Sequence, residues 1–103
     1  MKIIKVSNEN FKEEVLDSKV KVLADFNASW CGPCRMLTPI LESLAEESDD
    51  YKIVSINVDD EDMLAEEYDV SSIPCIVIFE NGKEIKRSVG LKPKDEIKKM
   101  LGE

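Results

Sequence analysis

The sequence has no histidine and only three cysteines in its 103 residues. Both shortages count against a zinc centre, because a tetrahedral site wants four nitrogen or sulfur ligands and carboxylates complete one only weakly. No apolar run approaches the roughly 20 residues of a membrane span. The opening Met1-Lys2-Ile3-Ile4-Lys5-Val6 also has too short an apolar run for a signal peptide. A cytoplasmic location is the expectation. Basic residues are outnumbered 22 to 14, for a formal net charge of −8, so nucleic acid and anionic membrane are poor main partners. Repeats, low-complexity segments and linkers are absent too. Residues 1–103 therefore read as a single domain, whose hydrophobic share of 43% gives a core that needs no disulfide staples. An odd cysteine count fits a reducing compartment better than a secreted disulfide framework. A monomer is the default, since the sequence shows no exposed apolar stripe.

What the chain does have is Trp30-Cys31-Gly32-Pro33-Cys34. It follows the apolar run Val20 to Phe26, which reads as a buried strand at the centre of a sheet. It opens a segment with helical spacing at Met36, Leu37, Ile40, Leu41 and Leu44. Residues i and i+3 on a helix lie roughly 5–6 Å apart, within the span of a disulfide. Cys31 and Cys34 can thus close a bridge and reopen it. A loop this short constrains the unfolded chain little, which favours chemistry over stapling. Unpaired N–H groups at the helix start favour a thiolate at Cys31, the expected nucleophile, with Cys34 as the less accessible resolving thiol. Pro33 suits a first helical turn and Gly32 allows close approach of another chain. A metal site and inert structural thiols are the alternatives for this pair.

The rest alternates. Ile3 to Val6 is a strand; Ser7 or Asn8 caps a helix bearing Phe11, Val15 and Leu16. The helix from about Cys31 to Ser48 contains Pro39, expected to kink it, and shows Glu42, Glu46 and Glu47 to water. Ile53 to Val58 is a strand, and Asp59 with Asp62 resembles a capping pair for a short helix carrying Met63, Leu64 and Tyr68. Asn81-Gly82 joins two antiparallel strands, Ile76 to Phe79 and Ile85 to Val89, and Pro93 opens a last helix with Ile97, Met100 and Leu101 inward. The fold class is α/β: a mixed sheet with helices on both faces.

In this order, Trp30-Cys31-Gly32-Pro33-Cys34, Ile73-Pro74 and Val89-Gly90 resemble the thioredoxin family over nearly the whole chain. The resemblance implies the thioredoxin fold, a central mixed five-stranded sheet flanked by four helices. It implies a protein dithiol–disulfide oxidoreductase, in which the reversible Cys31–Cys34 disulfide reduces substrate proteins. A thioredoxin reductase would return the electrons, with no other cofactor and no metal. Catalysis would rest on Cys31, Cys34 and Asp25, the last matching a buried aspartate that assists proton transfer at the inner cysteine. Pro74 matches a cis-proline beside the disulfide. Ile73 would offer backbone groups to substrate, Gly90 would line the docking groove, and Pro39 matches the helix-kinking proline.

Three positions depart from the family. Asn27 stands where an aromatic residue is usual, which changes part of the packing near the active site; Ser55 stands where many members carry a lysine near the buried aspartate, so Asp25, if buried, should have a raised pKa. Cys75 replaces the common threonine after the proline; it reads first as a small buried apolar residue and second as a regulatory thiol. Other residues keep two readings. Asp25 is a proton-transfer group or a partly exposed strand-end aspartate. Trp30 is a rim or a docking aromatic, and Arg35 a thiolate partner or an exposed charge. The run Lys83, Lys86, Arg87, Lys92 and Lys94 is a solvated face before it is a partner site. The rival functions are an oxidant or isomerase on the same fold, which often has a histidine inside its CxxC, a binding scaffold, and a metal or iron–sulfur role drawing on Cys75.

Overall fold

The computed structural model describes residues 3–103. Five strands, β1 (Ile3–Lys5), β2 (Lys21–Asn27), β3 (Tyr51–Asn57), β4 (Cys75–Glu80) and β5 (Lys83–Val89), form one sheet in the order β1-β3-β2-β4-β5. β2 is at its centre, parallel to β3 and antiparallel to β4; β1 runs parallel to β3, and β5 antiparallel to β4. Three α-helices follow the chain as α1 (Gly32–Glu47), α2 (Asp62–Glu67) and α3 (Lys94–Met100). The expected first helix is only a π-helical turn, Lys12–Leu16, closed by the Asp17 N–H donating to the Lys12 carbonyl at 2.8 Å.

Alternation along the strands sends side chains to two cores. Val22, Ala24 and Phe26 of β2 join Phe11, Val15 of the π turn and Leu64 of α2 on one face. Leu23 and Ile53 pack with Leu37, Leu41 and Leu44 of α1, Ile97 of α3 and Leu101 just beyond it on the other. Fully burying each of the valine, leucine, isoleucine and phenylalanine side chains contributes roughly 1.5–3 kcal/mol, so both faces are strongly specified. The face under α1 changes character along its length. Ile3, Leu23 and Ile53 are in register, and two residues on stand Lys5, Asp25 and Ser55, then Asn27 beside Asn57. The sheet is apolar where the parallel strands begin and polar where they end.

Several local expectations are corrected. Ser7 caps no helix; its Oγ accepts from the Glu9 N–H in a turn before the π segment. Asp59 and Asp62 form no capping pair. The Asn57 Oδ1 takes the Asp59 and Asp60 N–H groups instead, at 2.8 and 3.2 Å, and the first residue before α2 is Glu61, without a side-chain cap. Met36 and Met63 are exposed although their spacing suggested core. Pro39 lies inside α1 as expected.

The β4–β5 turn holds Asn81 and Gly82 at φ of 53° and 79°, the left-handed pair that a two-residue hairpin requires. Ile78 faces Lys86 while Phe79 faces Glu84, so Ile85 is an extra residue in β5. This bulge brings Glu84 and Arg87 to one side, where they form an ion pair at 2.8 Å.

Candidate functional site

β2 runs from the buried centre of the sheet to Asn27, and a short loop then delivers Cys31 to the start of α1. Cys31 is extended (φ −86°, ψ 112°) and its sulfur accepts the Cys34 N–H at 3.2 Å, so the thiol itself caps the helix. No acidic residue stands in the first turn of α1 to offset the positive end of the helix. Gly32 and Pro33 are the first helical residues, and a side chain at Gly32 would meet nothing within 4 Å, leaving room for another chain. Cys31 and Cys34 are bonded, with Cα atoms 5.3 Å apart, and both are buried at 5% and 2% exposure.

The other expected residues gather around this pair. The Ile73–Pro74 peptide bond is cis, and Ile73 packs with Val58 against the cluster of Ala28, Cys31 and Cys34. Gly90, at φ 96°, donates its N–H to the Pro74 carbonyl at 2.8 Å. Trp30 is 66% exposed on the rim, its Nε1 donating to Asp59 Oδ2 at 2.8 Å. Sequence reasoning had given Asp59 to a helix cap and missed this tether. Arg35 donates to the Ser29 carbonyl at 2.9 Å, which braces the loop before the motif.

Asp25 lies beneath α1, 3% exposed. Burial pushes its pKa up to about 6, opposed by a hydrogen bond from Asn27. The unexpected element is that Asn27 and Ser55 act together: the Asn27 Nδ2 donates to Asp25 Oδ2 at 3.1 Å and to Ser55 Oγ at 2.8 Å. A cavity of about 280 Å³ is lined by Lys5, Asp25, Asn27, Thr38, Ser55 and Asn57, among others. A second of about 220 Å³ shares Asn27, Thr38, Ser55 and Asn57 and is lined by Cys34.

Cys75 lies in the opposite core with Phe26, Val77 and Phe79, a free thiol that burial raises in pKa. That placement agrees with a small core residue. Within the basic run, Arg87 is held by Glu84 and by the Tyr68 carbonyl, and Lys94 by Glu47 and Ser43, which agrees with a solvated structural face. Among the described residues, no group of three or more histidine, cysteine, aspartate or glutamate side chains is placed to hold a metal ion.

A dithiol that caps a helix beside a cis X–Pro bond can attack, hold and release a sulfur, and this defines a thiol–disulfide exchange domain. Comparison with known proteins narrows the class. The Thioredoxin family model matches residues 2–103. A thioredoxin from Chlamydia trachomatis serovar D is 49% identical over 96 residues, covering 93% of this chain and 92% of the relative. One from Porphyra purpurea is 40% identical over 102 residues, covering 98% and 95%. Among solved structures, a mutant thioredoxin from Halobacterium salinarum superposes with a TM-score of 0.90 at 37% identity, covering 97% of this chain and 88% of that one. The chain belongs to the thioredoxin family, has its fold, and carries the cysteine pair of a protein dithiol–disulfide oxidoreductase.

Proposed function

We propose that this protein is a general reductant of protein disulfides, with each site residue in a defined role. The carrying observation is Cys31 at the cap of α1, its sulfur hydrogen-bonded by the Cys34 N–H. After reduction, the Cys31 thiolate attacks a substrate disulfide; the Cys31–substrate bond forms as the substrate bond breaks. The substrate backbone lies along Ile73 and cis-Pro74, with Gly90 and Trp30 bordering the groove. Cys34 gives its proton to Asp25 and attacks Cys31, releasing the substrate as a dithiol. Two electrons have passed to the substrate, and a thioredoxin reductase returns them. The disulfide is the only redox group the cycle needs. A monomer in the cytoplasm, with neither nucleic acid nor membrane as partner, is consistent with the acidic charge and the free Cys75.

Reduction of insulin by dithiothreitol tests the roles of the two cysteines. The parent should accelerate it catalytically, Cys31→Ser should abolish the acceleration, and Cys34→Ser should trap a mixed disulfide visible by mass. Catalysis surviving in Cys31→Ser would overturn the assignment.

A further inference from the structure

The polar stripe under α1 contains a clasp that the cysteine chemistry alone does not explain. Asn27 projects its amide nitrogen onto three acceptors: the Asp25 carbonyl at 3.0 Å, Asp25 Oδ2 at 3.1 Å and Ser55 Oγ at 2.8 Å. A carboxamide nitrogen carries two hydrogens. Ser55 therefore anchors the group from β3 while Asp25, in register with Ser55, takes the remaining donation. Asp25 Oδ1 is left as a buried side-chain oxygen with no hydrogen-bond partner among the described residues. Asp25 lines the larger cavity and Cys34 the smaller, and Asn27, Thr38, Ser55 and Asn57 line both.

We propose that Asn27 is the positioning residue for Asp25: anchored on Ser55, its amide holds Oδ2 and favours the ionised carboxylate, leaving Oδ1 to exchange its proton with water in the adjoining cavities. The inference rests on the reading that Asp25 takes the Cys34 proton, and it assigns the control of that step. The balance is simple. Cys34 loses a proton to Asp25, its thiolate forms the Cys31–Cys34 bond, the Cys31–substrate bond breaks, and the proton leaves Asp25 for cavity water.

The groups that face Asp25 leave this control to Asn27. β3 contributes only the neutral Ser55 and Asn57, and α1 contributes Thr38 and Leu41, with Cys34 lining the adjoining cavity. β4 places Ile76 opposite Asp25, and the Cys75 thiol lies in the core on the other face of the sheet. The cation in the lining is Lys5 on β1, whose exposed side chain is screened by water. The Arg35 guanidinium, at the second cavity, is engaged by the Ser29 carbonyl. A neutral donor thus supports the carboxylate from within the core, where a hydrogen bond to a charged group counts most.

The test is a carbon NMR titration of ¹³C-aspartate in the oxidised protein, where Cys31 and Cys34 do not titrate. Asp25 is assigned by the signal lost in Asp25→Asn. Asn27→Val should move the Asp25 midpoint upward by about one pH unit. Ser55→Ala, which removes only the anchor, should move it in the same direction by less, and Asn27→Ser, which keeps a donor, should lie between parent and valine. In reduced protein, release of substrate from the mixed disulfide should slow about fivefold at pH 6 in Asn27→Val, as that shift implies. Midpoints unchanged in both Asn27→Val and Ser55→Ala would overturn the proposal, and the serine variant decides if the valine protein does not fold. Should Asp25→Asn release substrate with the parent's pH profile, the proton-acceptor reading fails instead, independently of how Asn27 affects the titration.

Discussion

At the scale of single residues, the structure sets a charge against its surroundings. Asp25 is a carboxylate 3% exposed, one strand position from Ala24 and Phe26, which are fully buried. Removing the charged form from water raises its pKa to about 6, and the Asn27 hydrogen bond recovers only part of that. An unfolded aspartate titrates near 3.9, so between about pH 4 and pH 6 the folded chain binds a proton that the unfolded chain has released. Stability therefore falls as pH rises through that window, and above it ionised Asp25 costs about 3 kcal/mol. Asp25→Asn should be more stable than the parent at pH 7 by up to roughly that amount, with the gain fading towards pH 4. Urea midpoints at the two pH values measure it. Equal stability at pH 7 would mean that the ionised carboxylate bears no penalty, and that the drive to take up the Cys34 proton is missing.

At the scale of elements, turns and helix starts carry the most specific instructions. Asn81 and Gly82 both need positive φ, and a Cβ on Gly82 would also lie 3.0 Å from the Leu16 carbonyl oxygen. Gly82→Ala should therefore cost about 1–2 kcal/mol from backbone conformation alone, read as a lower denaturant midpoint at unchanged slope. An unchanged midpoint would show that the turn had found another geometry. These same features made much of the fold legible in the sequence: Asn-Gly between two strands admits few turns, and a CxxC with proline after an apolar strand marks a helix start. The π turn was not legible, since its five residues show too little periodicity to separate it from a short α-helix. Met36 and Met63 misled because helical spacing shows that residues share a face without showing which face the sheet covers. Asp59 was placed by local capping logic, whereas its partner Trp30 stands 29 residues away. For the site, the cysteine pair could be read from the motif, and the resemblance pointed to Asp25 in its apolar strand, but the clasp could not be read, although its signal was present. β2 reads Leu23, Asp25, Asn27 and β3 reads Ile53, Ser55, Asn57 at alternate positions. Only the register, which sequence spacing does not fix, turns those two matching stripes into one polar cavity.

For the whole molecule, the state of one bridge is coupled to the stability of the fold. The Cys31–Cys34 bond closes a loop with a sequence separation of 3, and cross-linking so short a loop removes only about 2 kcal/mol of entropy from the unfolded chain. Against this stands the reduced state, in which a Cys31 thiolate would gain from the positive end of α1 by up to about 2 kcal/mol. A thermodynamic cycle joins the two terms: the stability of the oxidised protein minus that of the reduced protein equals the excess free energy of the bridge in the folded over the unfolded chain. A reductant requires a positive difference, because its native disulfide must be harder to reduce than the same bridge in an unfolded peptide. We expect the oxidised protein to unfold at the higher denaturant concentration, by about 1–2 kcal/mol, or roughly 20–40 mV of added reducing power. The comparison is made in a Cys75→Ala background so that the third thiol cannot reshuffle the bridge once the chain opens. If the reduced protein proves the more stable, helix and cap hold the thiolate more firmly than the fold holds the bridge. The same site would then oxidise or isomerise its partners.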